Sequence, residues 1–232
     1  MAENHIRPFM NPRTIVLGDI HGCARALRTL LDAVEPQPDD MIVTLGDYVD
    51  RGSNSRDVLD QLVALVERCT LVPLLGNHEI LLLDSFENPE SYDFWQHCGG
   101  DMTLASYGWS LENIPPEHLV FLRNLHPFFE TPSHLFVHAN YHPELPLAET
   151  PEVLLYWEHI NQMPWPHRSG KTVIVGHTPQ ASGQILNLDF LLCVDTYCFG
   201  GGWLTALDVN SGDTWQANEL GELRKNRIDV RK

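Results

Sequence analysis

Five short apolar runs, each followed at once by a polar cluster, constrain the fold of this chain more than any other feature. The runs are TIVL, MIVTL, LVPLL, LFV and TVIV, and the clusters that follow them are GDIHG, GDYVDRG, GNHE, HAN and GHT. Short runs rich in Val, Ile and Leu are typical of strands that are buried on both faces. The sequence therefore predicts five buried strands that each end in a polar loop.

Helical patterns separate several of these predicted strands. Apolar residues recur at helical spacing from residue 24 to 34 and again from 58 to 66. Because strands and helices alternate along the chain, we predict an α/β fold. After Val175 the pattern changes to strand-like runs with turn-like breaks at residues 187–189 and 210–213. This pattern predicts antiparallel hairpins that close a second sheet.

The length of 232 residues is sufficient for one sizeable domain, and we predict a single domain over residues 1–232. Residues 84–130 contain aromatic side chains and the helix-like stretch PPEHLVFLRNL, and we predict that they form a helical cap beside the polar clusters. The charged residues from about 220 to 232 are predicted to form a loose tail.

The composition argues against several classes of function. The chain has 31 acidic and 15 basic residues, so a nucleic-acid or membrane partner is not expected. Its five cysteines are scattered and include no CxxC pair, which predicts free thiols, those of Cys193 and Cys198 among them. The first residues lack the apolar segment of a signal peptide, and no run of 18 apolar residues occurs. We therefore expect a cytoplasmic protein.

The polar clusters supply candidate metal ligands. In parallel α/β sheets, ligands bind outside the carboxyl ends of the strands, so the five clusters are expected to converge. The candidates are imidazole nitrogens and oxygens without a thiolate: Asp19, His21, Asp47, Asn77, His138 and His177. Such a set suits Mn, Fe, Zn or Co. Because one ion would need only three or four ligands, the set predicts two divalent ions with Asp47 as the shared carboxylate.

Two such ions predict a hydrolase for phosphate esters. Ions about 3.5 to 4 Å apart can hold a hydroxide between them, bind phosphoryl oxygens and neutralise charge during in-line attack on phosphorus. His78 follows a candidate ligand and could protonate the leaving alkoxide, while Asp50 could orient and charge His78. Arg51 offers a planar fork to the substrate phosphate, and Asn77 is assigned to substrate binding as well as to the metals.

In their order and spacing, the motifs GDIHG, GDYVDRG, GNHE, His138 and GHT resemble the phosphoprotein phosphatase family of metallophosphoesterases, which is serine/threonine phosphatase-like. The resemblance extends from residue 18 to 178 and is greatest to the bacterial branch, which includes small protein phosphatases and symmetrical diadenosine tetraphosphate hydrolases. It implies a calcineurin-like fold, with a central β-sandwich flanked by helices. It also implies two metal ions and direct attack by a metal-bound hydroxide without a phosphoenzyme.

The resemblance also implies roles for individual residues. Asp19, His21 and Asp47 would bind the first ion, and Asp47, Asn77, His138 and His177 would bind the second. His78 would be the general acid, with Asp50 as its partner and Arg51 on the phosphate. We take Mn as the expected metal, with Fe and Zn as alternatives.

Two positions depart from the pattern of this family. Asn140 stands where many members have Gly, and Trp157, Glu158 and His159 stand where bacterial relatives often show Trp-x-Arg. A second phosphate-binding arginine is therefore not identified, and His159 and Arg168 are both candidates to replace it.

Three functions are compatible with these motifs. The first is a metal-dependent phosphatase acting on phosphoserine, phosphothreonine or phosphotyrosine in proteins, or on small phosphoesters. The second is a diadenosine polyphosphate hydrolase, which would use the same centre and would need a wall that binds the base. The third is a non-catalytic scaffold that binds phosphorylated partners, and it is disfavoured because no ligand or acid position is missing.

Overall fold

The five apolar runs form five strands, three in one sheet and two in a second. The computed structural model describes residues 12–160 and 164–230, and within them it contains eleven strands and seven α-helices. The strands are β1 (Thr14–Leu17), β2 (Met41–Thr44), β3 (Thr70–Pro73), β4 (Phe129–Glu130), β5 (His134–Phe136), β6 (Thr172–Val175), β7 (Leu186–Asn187), β8 (Leu191–Cys193), β9 (Leu204–Asp208), β10 (Asp213–Ala217) and β11 (Leu223–Arg227). The helices are α1 (Ala24–Val34), α2 (Ser55–Leu65), α3 (Asn77–Ser85), α4 (Pro89–Trp95), α5 (Asp101–Ser106), α6 (Pro116–Arg123) and α7 (Glu152–Tyr156).

Both sheets are mixed: parallel strands form one half of the first sheet and antiparallel strands the other, whereas antiparallel strands flank a parallel centre in the second. The first sheet has the order β11-β10-β9-β1-β2-β3, in which β1, β2 and β3 are parallel. The second has the order β4-β5-β6-β8-β7, in which β5, β6 and β8 are parallel. The connections between the parallel strands of the first sheet contain α1 and α2. The predicted α/β class is confirmed.

The two sheets pack face to face. Val16 and Val43 of the first sheet share one buried cluster with Phe136 and Ile174 of the second, and all four side chains are fully buried. Burial of each such side chain contributes about 1.5 to 3 kcal/mol relative to its exposure. The outer face of the first sheet packs against α1 and α2, and that of the second packs against α7. The molecule is therefore the predicted β-sandwich flanked by helices.

The C-terminal hairpins are divided between the sheets. β7 and β8 form the predicted hairpin in the second sheet, but β9 and β10 extend the first sheet, where β9 pairs with β1. The expectation that both hairpins close the second sheet is wrong. The reason is that all five residues of β9 are buried, so this strand fits an inner position with apolar partners on both faces.

Part of the predicted tail is an ordered strand, and residues 231 and 232 of that prediction lie outside the described residues. β11 forms five residue pairs with β10, so the predicted loose tail is wrong for Leu223–Arg227. Charged side chains are typical of an edge strand, where they discourage pairing with other molecules, and β11 lies at the edge of the first sheet. Charge alone therefore did not distinguish an edge strand from a tail.

The segment 84–130 is largely helical, as its pattern predicts. It contains α4, α5 and α6, and a π-helical turn at Gln96–Gly100 joins α4 to α5. No helix in the described residues has the length and apolar character needed to cross a bilayer.

Candidate metal centre

The candidate ligands follow strands from both sheets. Asp19 and His21 follow β1, Asp47 follows β2, and Asn77 begins α3 after β3. His138 and His177 follow β5 and β6 of the second sheet. The carboxyl ends of these parallel strands meet at one edge of the sandwich, where ligands of α/β sheets bind.

One group of ligand atoms surrounds the Oδ1 atom of Asp47. His138 Nε2 lies 3.5 Å from Asp47 Oδ1 and 3.0 Å from Asn77 Oδ1. The same nitrogen lies 3.2 Å from His177 Nδ1. Asn77, His138 and Asp47 are buried. The structure thus brings four of the six predicted ligands within reach of one point.

A second group faces the other oxygen of Asp47. His21 Nε2 lies 3.4 Å from Asp47 Oδ2, and Arg51 Nη1 donates a hydrogen bond to the same nitrogen at 3.1 Å. The two carboxylate oxygens of Asp47 therefore face two different imidazoles, one from each sheet. This is the arrangement expected of a carboxylate that bridges two ions.

The tautomers of the three histidines follow from their other ring nitrogens. Each of these nitrogens donates to a backbone carbonyl: His21 Nδ1 to Val49 at 2.9 Å, His138 Nδ1 to Leu45 at 2.8 Å, and His177 Nε2 to Trp157 at 3.1 Å. Burial lowers the pKa of His21 and of His177 to about 3, and it lowers the pKa of His138 as well. All three rings are therefore neutral at pH 7, and the nitrogens that face Asp47 carry lone pairs.

The resulting site fits a divalent cation. His138 Nε2, His177 Nδ1 and the oxygens of Asp47 are all acceptors, so lone pairs face one another without a hydrogen between them. Such an arrangement is unfavourable in a buried site unless a cation lies among the acceptors. Because the atoms that would bind the metal are nitrogen and oxygen only, they suit Mn, Fe or Zn.

Asp19 has a different position from the other ligands. Its Oδ2 accepts a hydrogen bond from the backbone N–H of His177 at 2.9 Å, which joins the loops after β1 and β6. A Cβ atom at Gly176 would overlap the Asp19 carboxylate, so this close approach requires glycine. Among the described residues, the carboxylate and histidine groups within 4.8 Å of one another are His21–Asp47–His78 and Asp47–His138–His177, and Asp19 belongs to neither.

Asp195 is a buried carboxylate that the sequence analysis missed. Its Oδ1 accepts a hydrogen bond from the backbone N–H of Tyr197 at 3.0 Å, and its Oδ2 has no hydrogen-bond partner among the described residues. Burial and the charge of Asp47 raise the pKa of Asp195 to about 7. The signal was present, because Asp195 follows the apolar run LLCV just as the five polar clusters follow theirs.

The predicted pair of His78 and Asp50 is formed. His78 Nδ1 lies 2.7 Å from Asp50 Oδ2, and both side chains are buried. Burial lowers the pKa of His78, but the carboxylates of Asp47 and Asp50 outweigh this effect and raise it above its ordinary value. Two further residues of the helical segment hold Asp50: Trp95 Nε1 donates to both of its oxygens at 3.0 and 2.9 Å, and Thr103 Oγ1 donates to Oδ1 at 2.7 Å. No sequence motif indicated Trp95 or Thr103.

Glu79 holds the loop that carries Asp47, Asp50 and Arg51. These three residues have positive φ values of 51°, 70° and 67°, a conformation that costs about 1 to 3 kcal/mol each when the residue is not glycine. Glu79 is fully buried and accepts hydrogen bonds from the backbone N–H groups of Asp47 at 2.8 Å and Tyr48 at 2.7 Å. The motif GNHE contains Glu79, but its role became visible only in the structure.

Exposed groups surround the buried centre. Arg51 is exposed, and its guanidinium lies 4.7 Å from the centroid of the Phe199 ring. Phe199 in turn makes an edge contact with His21, with their ring centroids 4.8 Å apart. Arg51 is therefore accessible to a substrate while its guanidinium is held beside the Phe199 ring.

The structure also separates the two candidates for a second phosphate contact. The ring of His159 is exposed and lies 4.5 Å from the ring of His177, so it borders the centre. Arg168 instead donates a hydrogen bond to the backbone carbonyl of Glu144 at 3.0 Å. His159 is therefore the one of the two that contacts a candidate ligand.

Comparison with known sequences gives a matching family model and relatives with named activities. A family model described as calcineurin-like phosphoesterase matches residues 12–201. Serine/threonine-protein phosphatase 2 of Salmonella typhimurium is 37% identical over 86 residues, which are 37% of this chain and 37% of that protein. The symmetrical bis(5'-nucleosyl)-tetraphosphatase of Glaesserella parasuis is 34% identical over 140 residues, or 59% of this chain and 48% of that protein. These matches span less than half the length of the relatives.

Solved structures share the fold. A crystal structure provisionally assigned as a diadenosine tetraphosphatase has a TM-score of 0.66 at 24% identity, and the match covers 95% of this chain and 96% of the other. A cold-active protein-tyrosine phosphatase of a psychrophilic Shewanella species has a TM-score of 0.64 at 16% identity, with 93% and 80% coverage. At these identities the likeness concerns the fold.

The contacts to Asp50 can be tested by removing one donor at a time. Trp95→Phe removes the indole N–H, and Thr103→Val removes the hydroxyl while it keeps the volume of the side chain. Each leaves a buried carboxylate with fewer donors, so we expect each to lower the free energy of unfolding by about 1 to 3 kcal/mol, as measured by urea denaturation. Trp109→Phe is the control because Trp109 is 70% exposed, and it should change the free energy by less than about 0.5 kcal/mol. Equal effects at Trp95 and Trp109 would contradict the assigned contacts.

Proposed function

Because the chain belongs to the calcineurin-like phosphoesterase family, we propose that it is a metal-dependent phosphatase that hydrolyses phosphate monoesters, with phosphoserine and phosphothreonine in proteins as substrates. Two divalent ions, Mn in the first instance and Fe or Zn as alternatives, would be held by His21, Asp47, Asn77, His138 and His177. Asp19 would join the loops that carry His21 and His177. When bound, the ions supply Lewis-acid polarisation of the phosphoryl group and neutralise its charge.

Arg51 is proposed to bind the phosphate. Among the described residues, its guanidinium donates a side-chain hydrogen bond only to His21, so its other N–H groups are available to phosphate oxygens. The contact of the guanidinium with Phe199 limits the conformations of the long side chain. Arg51 would thereby orient the substrate with a smaller loss of side-chain entropy on binding.

His78 is proposed to donate the proton that the leaving alkoxide needs. Its Nδ1 is held by Asp50, so the proton to be transferred lies on Nε2. The nearby carboxylates favour the imidazolium form, which makes His78 a proton donor near neutral pH. Trp95 and Thr103 hold Asp50 and so keep the His78 ring in one orientation.

The observation that carries this proposal is the group of acceptors around Asp47 beside the His78–Asp50 pair. The acceptors around Asp47 need a cation among them, and His78, held by Asp50, is a buried acid next to these acceptors. A scaffold that only binds phosphorylated partners would not need the His78–Asp50 pair. The named activity of the Salmonella relative supports phosphorylated serine and threonine as substrates.

A second candidate function is the hydrolysis of dinucleoside polyphosphates. It is favoured by the Glaesserella relative, whose match covers more of this chain than that of the Salmonella protein. Trp157 is 39% exposed, and its carbonyl accepts the hydrogen bond from His177. An indole at this place could stack on a nucleotide base.

The first test is metal-dependent turnover. Purified protein with added Mn should hydrolyse p-nitrophenyl phosphate, and a chelator should abolish the activity. Asp47→Asn removes the proposed bridge and His78→Asn removes the proposed acid, so each should lower kcat by about 10² to 10⁴-fold. Asp39→Asn is the matched control, because Asp39 is exposed, and it should leave kcat unchanged. A wild-type protein that binds two Mn ions without turnover would favour the scaffold.

The second test is the pH dependence of kcat/KM. His78 must be protonated to act as the acid, so activity should fall on the alkaline side as pH rises through the pKa of His78. The Asp50 carboxylate raises this pKa, and Asp50→Asn should therefore move the alkaline limb to lower pH. The same substitution should leave the acidic limb in place. An unchanged alkaline limb would remove His78 from the proposed role.

The third test compares substrates on one preparation. Rates on phosphoserine and phosphothreonine peptides should exceed those on a dinucleoside tetraphosphate under the same metal conditions. A preference of about a hundredfold for the dinucleotide, equivalent to about 2.7 kcal/mol in transition-state binding, would instead establish the second function. In that case Trp157→Ala should raise KM for the dinucleotide more than for p-nitrophenyl phosphate.

A further inference from the structure

Two buried thiols and a carboxylate meet at the start of α1, apart from the candidate metal centre. The ligand atoms of Cys23, Cys198 and Glu219 all lie within 4.8 Å of one another. The three residues come from distant parts of the chain: the loop after β1, a short 3₁₀ turn at Cys198–Gly200, and the turn between β10 and β11. All five cysteines of the chain are free thiols, so this pair forms no disulfide.

The two thiols of this cluster lie in the protein interior, and the carboxylate lies nearer the surface. Cys23 is 1% exposed and Cys198 is 3% exposed, and both belong to the apolar core beneath α1. Glu219 is half-buried, and its Oε1 accepts a hydrogen bond from the backbone N–H of Ala26 at 3.1 Å. Glu219 also lines an open pocket together with Ala24 and Arg25. The carboxylate thus stands between the buried thiols and the solvent.

The distances suit one tetrahedral metal ion. Thiolate ligands about 2.3 Å from zinc and carboxylate ligands about 2.0 to 2.2 Å from it lie roughly 3.5 to 3.8 Å from each other. Ligand atoms already within 4.8 Å can reach these separations through small side-chain adjustments. The two sulfurs make the site suitable for a thiophilic ion, in contrast to the nitrogen and oxygen donors around Asp47.

We propose that Cys23, Cys198 and Glu219 form a separate site for one thiophilic divalent cation such as Zn²⁺, with water from the adjacent pocket as the fourth ligand. Each thiol gives up its proton on binding, so the metal would be held by two thiolates and one carboxylate. The hydrogen bond with Cys198 and burial raise the pKa of the Cys23 thiol, so the thiolate form would depend on the bound metal.

This ion would connect two segments of the candidate metal centre. Cys23 lies two residues after His21, and Cys198 directly precedes Phe199, whose ring contacts both His21 and Arg51. A metal that joins Cys23 to Cys198 would hold these segments together. The proposal goes beyond the phosphatase function and does not depend on it.

The test uses the full chain, reduced and stripped of metal, with cadmium as the probe. Ligation by thiolates produces sulfur-to-metal charge-transfer absorption in the near ultraviolet, which nitrogen and oxygen ligands do not produce. Wild-type protein should develop this band up to one thiolate-bound cadmium per chain. Cys23→Ser and Cys198→Ser should each abolish it, and Glu219→Gln should weaken cadmium binding at this site roughly tenfold.

The matched control is Cys69→Ser, because Cys69 is also buried but its Sγ contacts the carbonyl of Leu65, in another part of the fold. This variant should keep the full band. Cadmium-113 NMR of the wild-type protein provides a measurement that requires no variant, and it should show a resonance shifted by two sulfur ligands. A wild-type protein without a sulfur-ligated signal, or a band that persists in the Cys23 and Cys198 variants, would overturn the proposal. Neither readout requires phosphatase activity, so failure of one proposal leaves the other intact.

Discussion

The carboxylate of Asp47 is the group on which the rest of the centre depends. It is almost fully buried, and its two oxygens face His21 from the first sheet and His138 from the second. A buried charge is costly unless opposite charges or donors compensate for it. The two halves of the sandwich therefore meet at a buried charge that neither half could stabilise alone, and the proposed cations would supply the missing compensation.

Contacts within the protein also hold the loop that carries Asp47 in place. Asp47 lies in a loop whose backbone is strained, and the buried carboxylate of Glu79 accepts the N–H groups that this conformation directs inward. Because Glu79 belongs to the same motif as Asn77 and His78, one short segment supplies a candidate ligand, the proposed acid and a support for the neighbouring loop. The orientation of the ligands is thus determined by contacts within the protein, as is typical of metal sites.

The helical segment 84–130 supports His78, the proposed proton donor, in a comparable way. Trp95 and Thr103 lie on α4 and α5, and both donate to Asp50, which holds His78. The segment predicted only as a helical cap therefore determines the orientation of His78, the proposed acid. On the solvent side, Arg51 and His159 stand at the opening, where a substrate would meet the centre first.

The sequence by itself determined the five strands formed by the apolar runs, the polar loops at their ends and the set of candidate ligands, because apolar periodicity and residue chemistry are local properties. It did not determine which sheet receives β9, whether β11 is ordered, or which residues hold Asp50 and Asp47 in place. Those outcomes depend on contacts between residues far apart in the chain, such as Trp95 with Asp50 and Cys23 with Cys198. Only the packing of the two sheets and their helices brings such pairs together, and no spacing along the chain encodes it.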